Sequence, residues 1–243
     1  MHIVKLNAIG STNTYLREFC RNLNVIEDIL VSAREQTAGK GQMGTFWESE
    51  AGKNLTFSVF KKVRILPVGQ QFFITMATSL AIYEMLHSLG VEKVSVKWPN
   101  DILAGKEKIC GVLIDSVIKN GRLDAVIIGV GLNVNQTNFT RAPRATSIKL
   151  QKNEETDLDN LLDELIKQFY KYVDLLTEGE FDVLKSSYEE KLFRKGIPSS
   201  FRNADDSVFN GIIQGVTNTG NLIVLLEDDS LAEYGTKQIE LLY

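Results

Sequence analysis

The feature that most constrains the fold is the Asn120-Gly121 dipeptide, which lies between two segments rich in β-branched residues. Both residues tolerate a positive φ, and such a pair between apolar runs is a strong signal for a two-residue β-hairpin. The sequence therefore predicts strands at residues 109–118 and 122–130 that are joined by a tight turn. A shorter strand is predicted just before them, at residues 94–98.

Hydrophobic periodicity predicts the elements around this hairpin. A capped helix begins at Ser11, and its pattern favours burial of Leu16, Phe19 and Leu23. The other predicted elements are a strand at 28–33, a strand at 54–60 with one buried face, a helix at 70–89 that Gly90 ends, and helices at 158–176 and 181–193. Residues 36–52 are rich in glycine and have no sustained period, so they are predicted to form a long loop.

The character of the sequence changes after Gly196. Residues 199–243 show no helical period and contain short β-prone runs separated by turn signals. We therefore predict two domains, a larger one at 1–195 and a small all-β domain at 196–243. The second domain is near the lower size limit for folding alone.

Composition excludes several classes of protein. No apolar run among the 243 residues approaches the ~18–20 residues that a membrane-spanning helix needs. Met1 to Gly10 contain one lysine and no long apolar core, so no secretory signal is predicted. The apolar content of 44% with a net charge of −4 disfavours disorder. We expect a globular protein of the cytoplasm, without a membrane partner.

Cysteine and histidine usage argues against two kinds of catalytic site. Cys20 and Cys110 are too few for a disulfide framework or a cysteine zinc site, and we expect both to be buried. His2 and His87 have no metal-ligand spacing, and neither lies in a context suited to a Ser-His-Asp triad. The sequence therefore predicts no resident metal and no nucleophilic triad.

Charge is unevenly distributed along the chain. Residues 31–111 contain ten Lys/Arg against seven Asp/Glu, whereas residues 112–243 contain fourteen against twenty-one. A mildly basic segment suits a small anionic ligand. It is too weakly charged for a nucleic-acid surface, which usually has clustered Lys/Arg and a high pI.

The glycine-rich segment formally matches G-x-G-x-x-G through Gly39, Gly41 and Gly44. A dinucleotide site also needs a helix that begins at the third glycine and an acidic residue about twenty positions later, and both are missing. What remains is a loop whose backbone N–H groups can approach an anion, with Trp47 as a stacking surface. The alternative is an ordinary surface loop with a core tryptophan.

Two further motifs contain polar groups suited to a ligand. In the first, Pro99 ends a strand, Asn100 and Asp101 follow at the predicted turn, and Lys108 precedes the next strand. A lysine at that point is a natural charge for phosphate or carboxylate, although Asp101 is equally explained as a turn former. In the second motif, residues 129–133, glycines inside a strand suggest close approach of a ligand, although a turn explains them as well.

Together these motifs resemble the biotin protein ligase family over about residues 1–180. The residues that support the resemblance are Ser11-Thr12-Asn13, Gln36 to Trp47, Lys97-Trp98-Pro99-Asn100-Asp101, Lys108-Ile109-Cys110-Gly111 and Gly129-Val130-Gly131-Leu132-Asn133. The resemblance implies an α/β (α+β) fold, in which a mixed-sheet catalytic domain is followed by a small SH3-like β-barrel. It also implies ATP-dependent formation of biotinyl-5′-AMP, with Mg²⁺, and transfer of biotin to a lysine of a biotin carboxyl carrier protein.

Site residues follow from the resemblance motif by motif. Those implied to bind biotin are Ser11, Thr12, Asn13, Gln36, Gly39, Lys40, Gly41, Gln42, Lys108 and Gly111. Those implied to bind ATP or the adenylate are Lys40, Gln42, Trp47, Asn100, Lys108 and Asn133. Lys108 and Asp101 are the implied catalytic residues, and Lys108 would stabilise charge between the biotin carboxylate and the α-phosphate.

Two departures from the family pattern affect what is expected. The family commonly has arginine where this chain has Lys40, Gln42 and Thr45, which weakens the expected hold on the adenylate. No helix-turn-helix domain precedes Ser11, so we expect the ligase activity alone and no specific DNA binding. The alternatives are a lipoate or octanoate ligase or transferase of the same fold, and a non-catalytic regulator that binds biotin or a nucleotide. A monomer and a homodimer are both compatible with the sequence.

Overall fold

The structure, a computed structural model, describes residues 1–21, 25, 27–63, 66–67 and 69–243. Its larger sheet consists of seven strands: β1 His2–Ile9, β2 Ile29–Gln36, β3 Leu55–Lys62, β4 Val94–Lys97, β5 Asp101–Ala104, β6 Glu107–Lys119 and β7 Arg122–Leu132. The strands lie in the order β1-β2-β3-β7-β6-β5-β4. Only β1 and β2 pair in parallel among these described strands, so the sheet is mixed, as the family resemblance implies.

The predicted hairpin is confirmed. Asn120 and Gly121 have φ values of 52° and 72°, and they join β6 to β7. Two strands of this sheet were not predicted, β1 and β5. Strand β1 is an edge strand with many exposed residues, and β5 has only four residues, so neither has a clear pattern. As a consequence, Asp101 begins a strand instead of forming the predicted turn, which comprises residues 98–100.

Five helices are described: α1 Thr12–Arg21, α2 Phe72–Ser88, α3 Ile148–Lys152, α4 Leu158–Glu178 and α5 Phe181–Glu190. Helix α2 is buried almost all round, which explains its nearly continuous apolar sequence. Gly90, at a φ of 75°, follows its end as predicted. The short α3 was not predicted, and α5 ends three residues before the predicted boundary.

The prediction for the apolar face of α1 was partly wrong. Leu16 is fully buried, but Phe19 is 41% exposed and stacks on the ring of Tyr15. Leu23 lies outside the described residues. The buried face of α1 is instead completed by the polar residues Thr12 and Asn13, which pack towards the sheet.

Strand β3 also differs from its prediction, because both of its faces are buried. The apolar residues of the strand pack in the core, as expected. The polar residues Thr56 and Ser58 are only 2% and 0% exposed, since helix α1 covers that face. A buried polar face must satisfy its hydrogen bonds internally, which makes it a candidate for binding chemistry.

The remaining strands form a second sheet with five antiparallel strands. They are β8 Pro198–Asn203, β9 Val208–Val216, β10 Leu222–Leu226, β11 Leu231–Tyr234 and β12 Ile239–Leu242, in the order β11-β10-β9-β8-β12. The predicted β character of this part of the chain is therefore confirmed. Its buried residues, such as Phe201 and Val224, belong to the same apolar cluster as α2. The domain boundary at 195/196 stays a prediction.

The second sheet contacts the Lys97-Trp98 dipeptide directly. The indole Nε1 of Trp98 donates a hydrogen bond of 2.8 Å to the carbonyl oxygen of Gly220. Lys97 lies over the ring of Tyr243 at 5.2 Å, and Arg144 lies 5.3 Å from the same ring. The turn after β4 is therefore held from the side of the second sheet.

Two further expectations concern burial. Both thiols are buried as predicted, with Cys20 8% and Cys110 0% exposed, and burial raises the pKa of each thiol. A raised thiol pKa disfavours the thiolate, which is the nucleophilic form. Within the described parts of the chain, no helix is both long and apolar enough to cross a membrane.

Candidate active site

A cavity of about 280 Å³ lies over strands β3, β7 and β6, close to the range typical of small-molecule sites. Most of the residues singled out in the sequence line it: Ser11, Thr12, Asn13, Gln36, Lys40, Gly41, Gln42, Trp47, Asn100, Asp101, Lys108 and Gly111. Gly39 and Asn133 are not among its lining residues. The fold thus brings to one cavity residues as far apart in sequence as Ser11 and Lys237.

One end of the cavity is a cluster of buried polar side chains. The side-chain oxygen Oε1 of Gln36 accepts hydrogen bonds from the backbone N–H of Thr12 at 2.8 Å and from its hydroxyl at 3.1 Å. Ser58, from the buried face of β3, places its Oγ 2.7 Å from Thr12 Oγ1. The beginning of α1 and the end of β2 are therefore held in one arrangement.

Asn13 is fixed from both sides within this cluster. Its Nδ2 donates to Asp115 Oδ2 at 3.0 Å, and its Oδ1 accepts from the hydroxyl of Ser58 at 2.5 Å. Asp115 is held in turn by Arg17, 2.8 Å away. Gly129 lies directly under Asn13, and a Cβ there would overlap the Asn13 carboxamide. The small residue in β7 is what allows Asn13 to pack against the strand.

The glycine-rich segment is a long loop between β2 and β3, as predicted, and residues 39–47 within it form a short hairpin. Lys40 and Phe46 form an antiparallel bridge, and the backbone N–H of Trp47 donates to the Gly39 carbonyl at 3.0 Å. Gly41 donates to the Thr45 carbonyl at 2.7 Å. Gly39 is required by close approach, since a Cβ there would lie 2.7 Å from the Trp47 carbonyl oxygen, whereas a Cβ at Gly41 would meet the side chain of Thr45.

The far end of this hairpin is tied to the segment after β7. The Glu48 carboxylate accepts hydrogen bonds from the backbone and hydroxyl of Thr140 and from the backbone of Arg141, at 2.8–3.0 Å. Burial alone would raise the pKa of Glu48, but these hydrogen bonds hold it below its ordinary value. Arg141 also lies 5.0 Å from the ring of Phe46. The carboxylate therefore anchors the hairpin in its ionised form.

Trp47 lies across the floor of the cavity. Gly111 and Gly131 are direct partners in the β6–β7 ladder, and the indole of Trp47 packs on both. A Cβ at Gly131 would overlap the indole ring, so Trp47 can pack here only because residue 131 has no side chain. The indole Nε1 is buried and has no hydrogen-bond partner among the described residues. An unpaired buried donor of this kind is suited to a ligand acceptor.

Lys108 and Asp101 form the charged centre of the site. Lys108 Nζ lies 2.5 Å from Asp101 Oδ1 and 5.5 Å from the centre of the Trp47 ring. Lys97 Nζ lies 4.0 Å from the other carboxylate oxygen. Among the charged residues that line the cavity, three are lysines, Lys40, Lys108 and Lys237, and one is acidic, Asp101. The site is therefore suited to an anionic ligand.

The two asparagines differ in position. Asn100 lines the cavity, but its Nδ2 donates to the Val112 carbonyl at 2.6 Å and so fixes the turn before β5. Asn133 is 2% exposed, donates to the Thr146 carbonyl at 2.9 Å, and has a buried Oδ1 without a partner among the described residues. Its role in adenylate binding stays a prediction.

Comparison with known proteins places this site in a family. A family model for the biotin/lipoate A/B protein ligase family matches residues 6–133, which is just over half of the chain and contains every motif described above. The chain belongs to this family. The resemblance drawn from the sequence motifs is thereby confirmed, together with the ligase class.

Curated relatives of this chain are named as ligases. The bifunctional ligase/repressor BirA of Bacillus subtilis is 29% identical over 247 residues, which cover 99% of this chain and 74% of that protein. The biotin–[acetyl-CoA-carboxylase] ligase of Paracoccus denitrificans is 27% identical over 204 residues, covering 80% of this chain and 82% of that protein. A biotin protein ligase from Aquifex aeolicus, solved with biotin and ATP, has the same fold, with a TM-score of 0.79 and 24% identity over 99% of this chain and 98% of that one.

Sequence reasoning missed three residues at the site of this ligase-family member. Ser58 looked like the solvent side of an alternating strand, and Asp115 looked like a polar residue in a long strand. Lys237 belongs to the second sheet region and lines the cavity from there. Of the three, only Ser58 could have been found from the sequence. Thr56 and Ser58 alternate with apolar residues in β3, a pattern that also fits a strand packed against a polar helix face.

Proposed function

We propose that the protein is an ATP-dependent biotin protein ligase. In the first step a carboxylate oxygen of biotin attacks the α-phosphorus of ATP, the bond from that phosphorus to the β-phosphate bridging oxygen breaks, and pyrophosphate leaves. In the second step the amine of a carrier-protein lysine attacks the acyl carbon of biotinyl-5′-AMP, an amide forms, and AMP leaves. The names of the relatives support a biotin carboxyl carrier protein of a carboxylase as the acceptor.

The observation that supports biotin, rather than lipoate or octanoate, is the buried polar cluster at one end of the cavity. The cluster offers hydroxyls and amides from Ser11, Thr12, Asn13 and Gln36. A ureido ring has matched donors and acceptors for such groups. A dithiolane or an alkyl chain has no such donors and acceptors, so it would keep water from these polar groups without forming any hydrogen bond to them.

Lys108 is assigned the main role in adenylate formation. Two anionic groups, the biotin carboxylate and the α-phosphate, must come together in this step, and charge accumulates at the phosphorus. A lysine at the centre of the cavity, aimed by Asp101, would stabilise both the encounter and the transition state. The buried thiols and the two histidines have no part in this scheme, which needs no covalent enzyme intermediate.

Mg²⁺ belongs to the proposal as the ion that the ATP phosphates bring with them. Mg²⁺ is commonly held by substrate phosphates and one or two carboxylates, and Asp101 is the acidic residue in the cavity lining. Within the described residues there is no group of three His, Cys, Asp or Glu side chains that would hold a resident ion. Asp101 would hold such an ion together with the phosphates of ATP.

The test is ATP–pyrophosphate exchange measured separately with biotin, lipoate and octanoate. We expect exchange with biotin alone, followed by incorporation of labelled biotin into a carboxyl carrier domain. Exchange that is as fast with lipoate or octanoate would assign the protein to the other branch of the family. No exchange with any acid, at protein concentrations that bind biotin, would favour the non-catalytic regulator.

A further inference from the structure

One neighbour of the buried polar cluster is a carboxylate outside the cavity. Asp115 is not among the cavity-lining residues, and its Oδ2 lies 3.0 Å from Nδ2 of Asn13, which does line the cavity. A carboxylate accepts hydrogen bonds and cannot donate them. If the carboxamide of Asn13 were turned over, its oxygen would face the oxygen of Asp115, and the two would repel. The amide nitrogen of Asn13 must therefore face Asp115.

The orientation of Asn13 determines where the next two protons point. Asn13 Oδ1 can only accept, and it lies 2.5 Å from Ser58 Oγ, so the single proton of the Ser58 hydroxyl goes to Asn13. Thr12 Oγ1 lies 2.7 Å from the same Ser58 oxygen. Each of these two contacts has a proton of its own only if Thr12 donates to Ser58. The Thr12 proton is shared with Gln36 Oε1, which lies farther away at 3.1 Å.

Burial keeps this order of donors and acceptors in place. Thr12, Asn13 and Ser58 are all buried, and Ser58 is fully so. Exposed polar groups exchange partners with water, whereas buried groups depend on the partners that the protein supplies. The carboxamide of Asn13 is also packed directly against Gly129 of β7. The hydrogen bonds therefore form a chain of fixed direction, from Thr12 through Ser58 and Asn13 to the carboxylate.

The direction of the chain decides what a ligand meets at this end of the cavity. Thr12 uses its one hydroxyl proton within the protein, so its oxygen can only accept from a ligand. The side-chain oxygen of Gln36 is occupied by Thr12, and its Nε2 has no hydrogen-bond partner among the described residues. The polar end of the cavity thus offers an acceptor from Thr12 and a donor from Gln36. A ureido group, with both N–H and C=O, matches this pair.

We propose that Asp115 is a positioning residue that selects ligands with an N–H group, because its carboxylate fixes the direction of the hydrogen-bond chain that begins at Thr12. This inference rests on the proposed function, in which the ureido ring of biotin supplies that N–H. Without the carboxylate, Asn13 can turn over and donate to Ser58. The Ser58 proton then goes to Thr12, whose oxygen loses a lone pair that would otherwise accept from the ligand.

Three variants separate the direction of the chain from the charge of Asp115. Asp115→Asn keeps the shape of the side chain but introduces a group that can donate as well as accept. Asp115→Glu retains an acceptor-only group. Arg17→Gln removes the guanidinium that lies 2.8 Å from Asp115 Oδ2 and leaves the carboxylate in place. Arg17 is exposed, and ion pairs at the surface contribute little to stability.

The experiment measures dissociation constants, by competition with labelled biotin, for biotin and for its two cyclic carbamate analogues, in each of which oxygen replaces one ureido N–H. We expect the wild type to bind one analogue about tenfold or more weakly than biotin, since an oxygen of that analogue would face the Thr12 oxygen. Asp115→Asn should weaken biotin about tenfold and leave that analogue nearly unchanged, so that the ratio of the two constants approaches one. Asp115→Glu and Arg17→Gln should keep the wild-type ratio.

The outcomes distinguish this proposal from the proposed function. Wild-type protein that binds no biotin would refute the proposed function itself. Wild-type binding of biotin and both analogues with equal affinity would overturn the acceptor role of Thr12. An Asp115→Asn variant that binds biotin as the wild type does, or that loses biotin and the analogue equally, would overturn the role of Asp115 alone. A collapse of the ratio in Arg17→Gln as well would assign the effect to the ion pair.

Discussion

Lys108 Nζ lies 2.5 Å from Asp101 Oδ1, across the pair of antiparallel strands β5 and β6. The pairing shifts register between Ile102 and Leu103, so that Lys108 lies opposite Leu103 and its side chain reaches back to the first residue of β5. The carboxylate is 19% exposed and the amine 35%. The lysine is therefore directed into the cavity by a partner and still accessible to a ligand.

The packing of Trp47 on a glycine predicts the effect of one added methyl group. In Gly131→Ala the new Cβ would overlap the indole, so Trp47 must move away from the cavity floor. We expect a loss of stability of about 1–3 kcal/mol, typical of overpacking, and a several-fold increase in KM for ATP. Thermal unfolding and steady-state kinetics measure the two effects.

A matched control for this substitution is Gly10→Ala, because a Cβ at Gly10 would meet nothing within 4 Å. The control should change neither stability nor kinetics. If Gly131→Ala has the KM for ATP and the unfolding temperature of the wild type, the position of Trp47 does not depend on the absence of a side chain at residue 131.

The hydrogen bonds of Ser58 predict a selective effect on biotin. Ser58→Ala leaves Asn13 Oδ1 and Thr12 Oγ1 without the hydroxyl that lies between them. We expect KM for biotin to rise about tenfold, since one hydrogen bond that orders the polar cluster is lost, with KM for ATP unchanged. Ser79→Ala is the control, because Ser79 is equally buried but its hydroxyl has no partner among the described residues. An equal rise in KM for biotin and KM for ATP would show that Ser58 stabilises the fold as a whole and does not act selectively on biotin binding.

The neutral residue Gln42 at the tip of the hairpin predicts that a positive charge introduced there will slow the release of biotinyl-5′-AMP. Gln42 lines the cavity and is neutral. In Gln42→Arg a guanidinium would add a charge-assisted contact to the phosphate of biotinyl-5′-AMP, so its dissociation rate should fall several-fold at equal ionic strength. Gln42→Met, which adds no charge, is the control. Release from the arginine variant that is as fast as from the wild type would mean that residue 42 does not face the phosphate.

Local patterns account for the parts of the structure that the sequence predicted well. The Asn120-Gly121 turn and the glycine after α2 depend on the φ values of single residues, and the structure has both. The motifs of the site were also found in the sequence, because glycines, lysines and asparagines at fixed spacings can be recognised without knowledge of the fold. Their arrangement around one cavity required the sheet order, which the sequence does not show.

The missed features depend on contacts between distant segments. Ser58 is a functional candidate only because α1 covers its face of β3, 45 residues from Asn13 in sequence. Phe19 was predicted to be buried because its spacing fits a helix face, but that face is completed by Thr12 and Asn13 instead. Lys237 lines the cavity because the second sheet packs beside the Lys97-Trp98 turn, and no pattern within residues 196–243 indicates this.

The most direct test of the account is single-turnover formation of biotinyl-5′-AMP by Lys108→Ala, with excess enzyme over labelled ATP and saturating biotin. Removing one preorganised charge at a developing anion usually costs about 10²–10³ in rate, and we expect a loss of that size with an unchanged unfolding temperature. Lys106→Ala, two residues away in an exposed turn, should form the adenylate at the wild-type rate. A rate for Lys108→Ala equal to that of the wild type would contradict the assignment of Lys108 as the residue that joins carboxylate and phosphate.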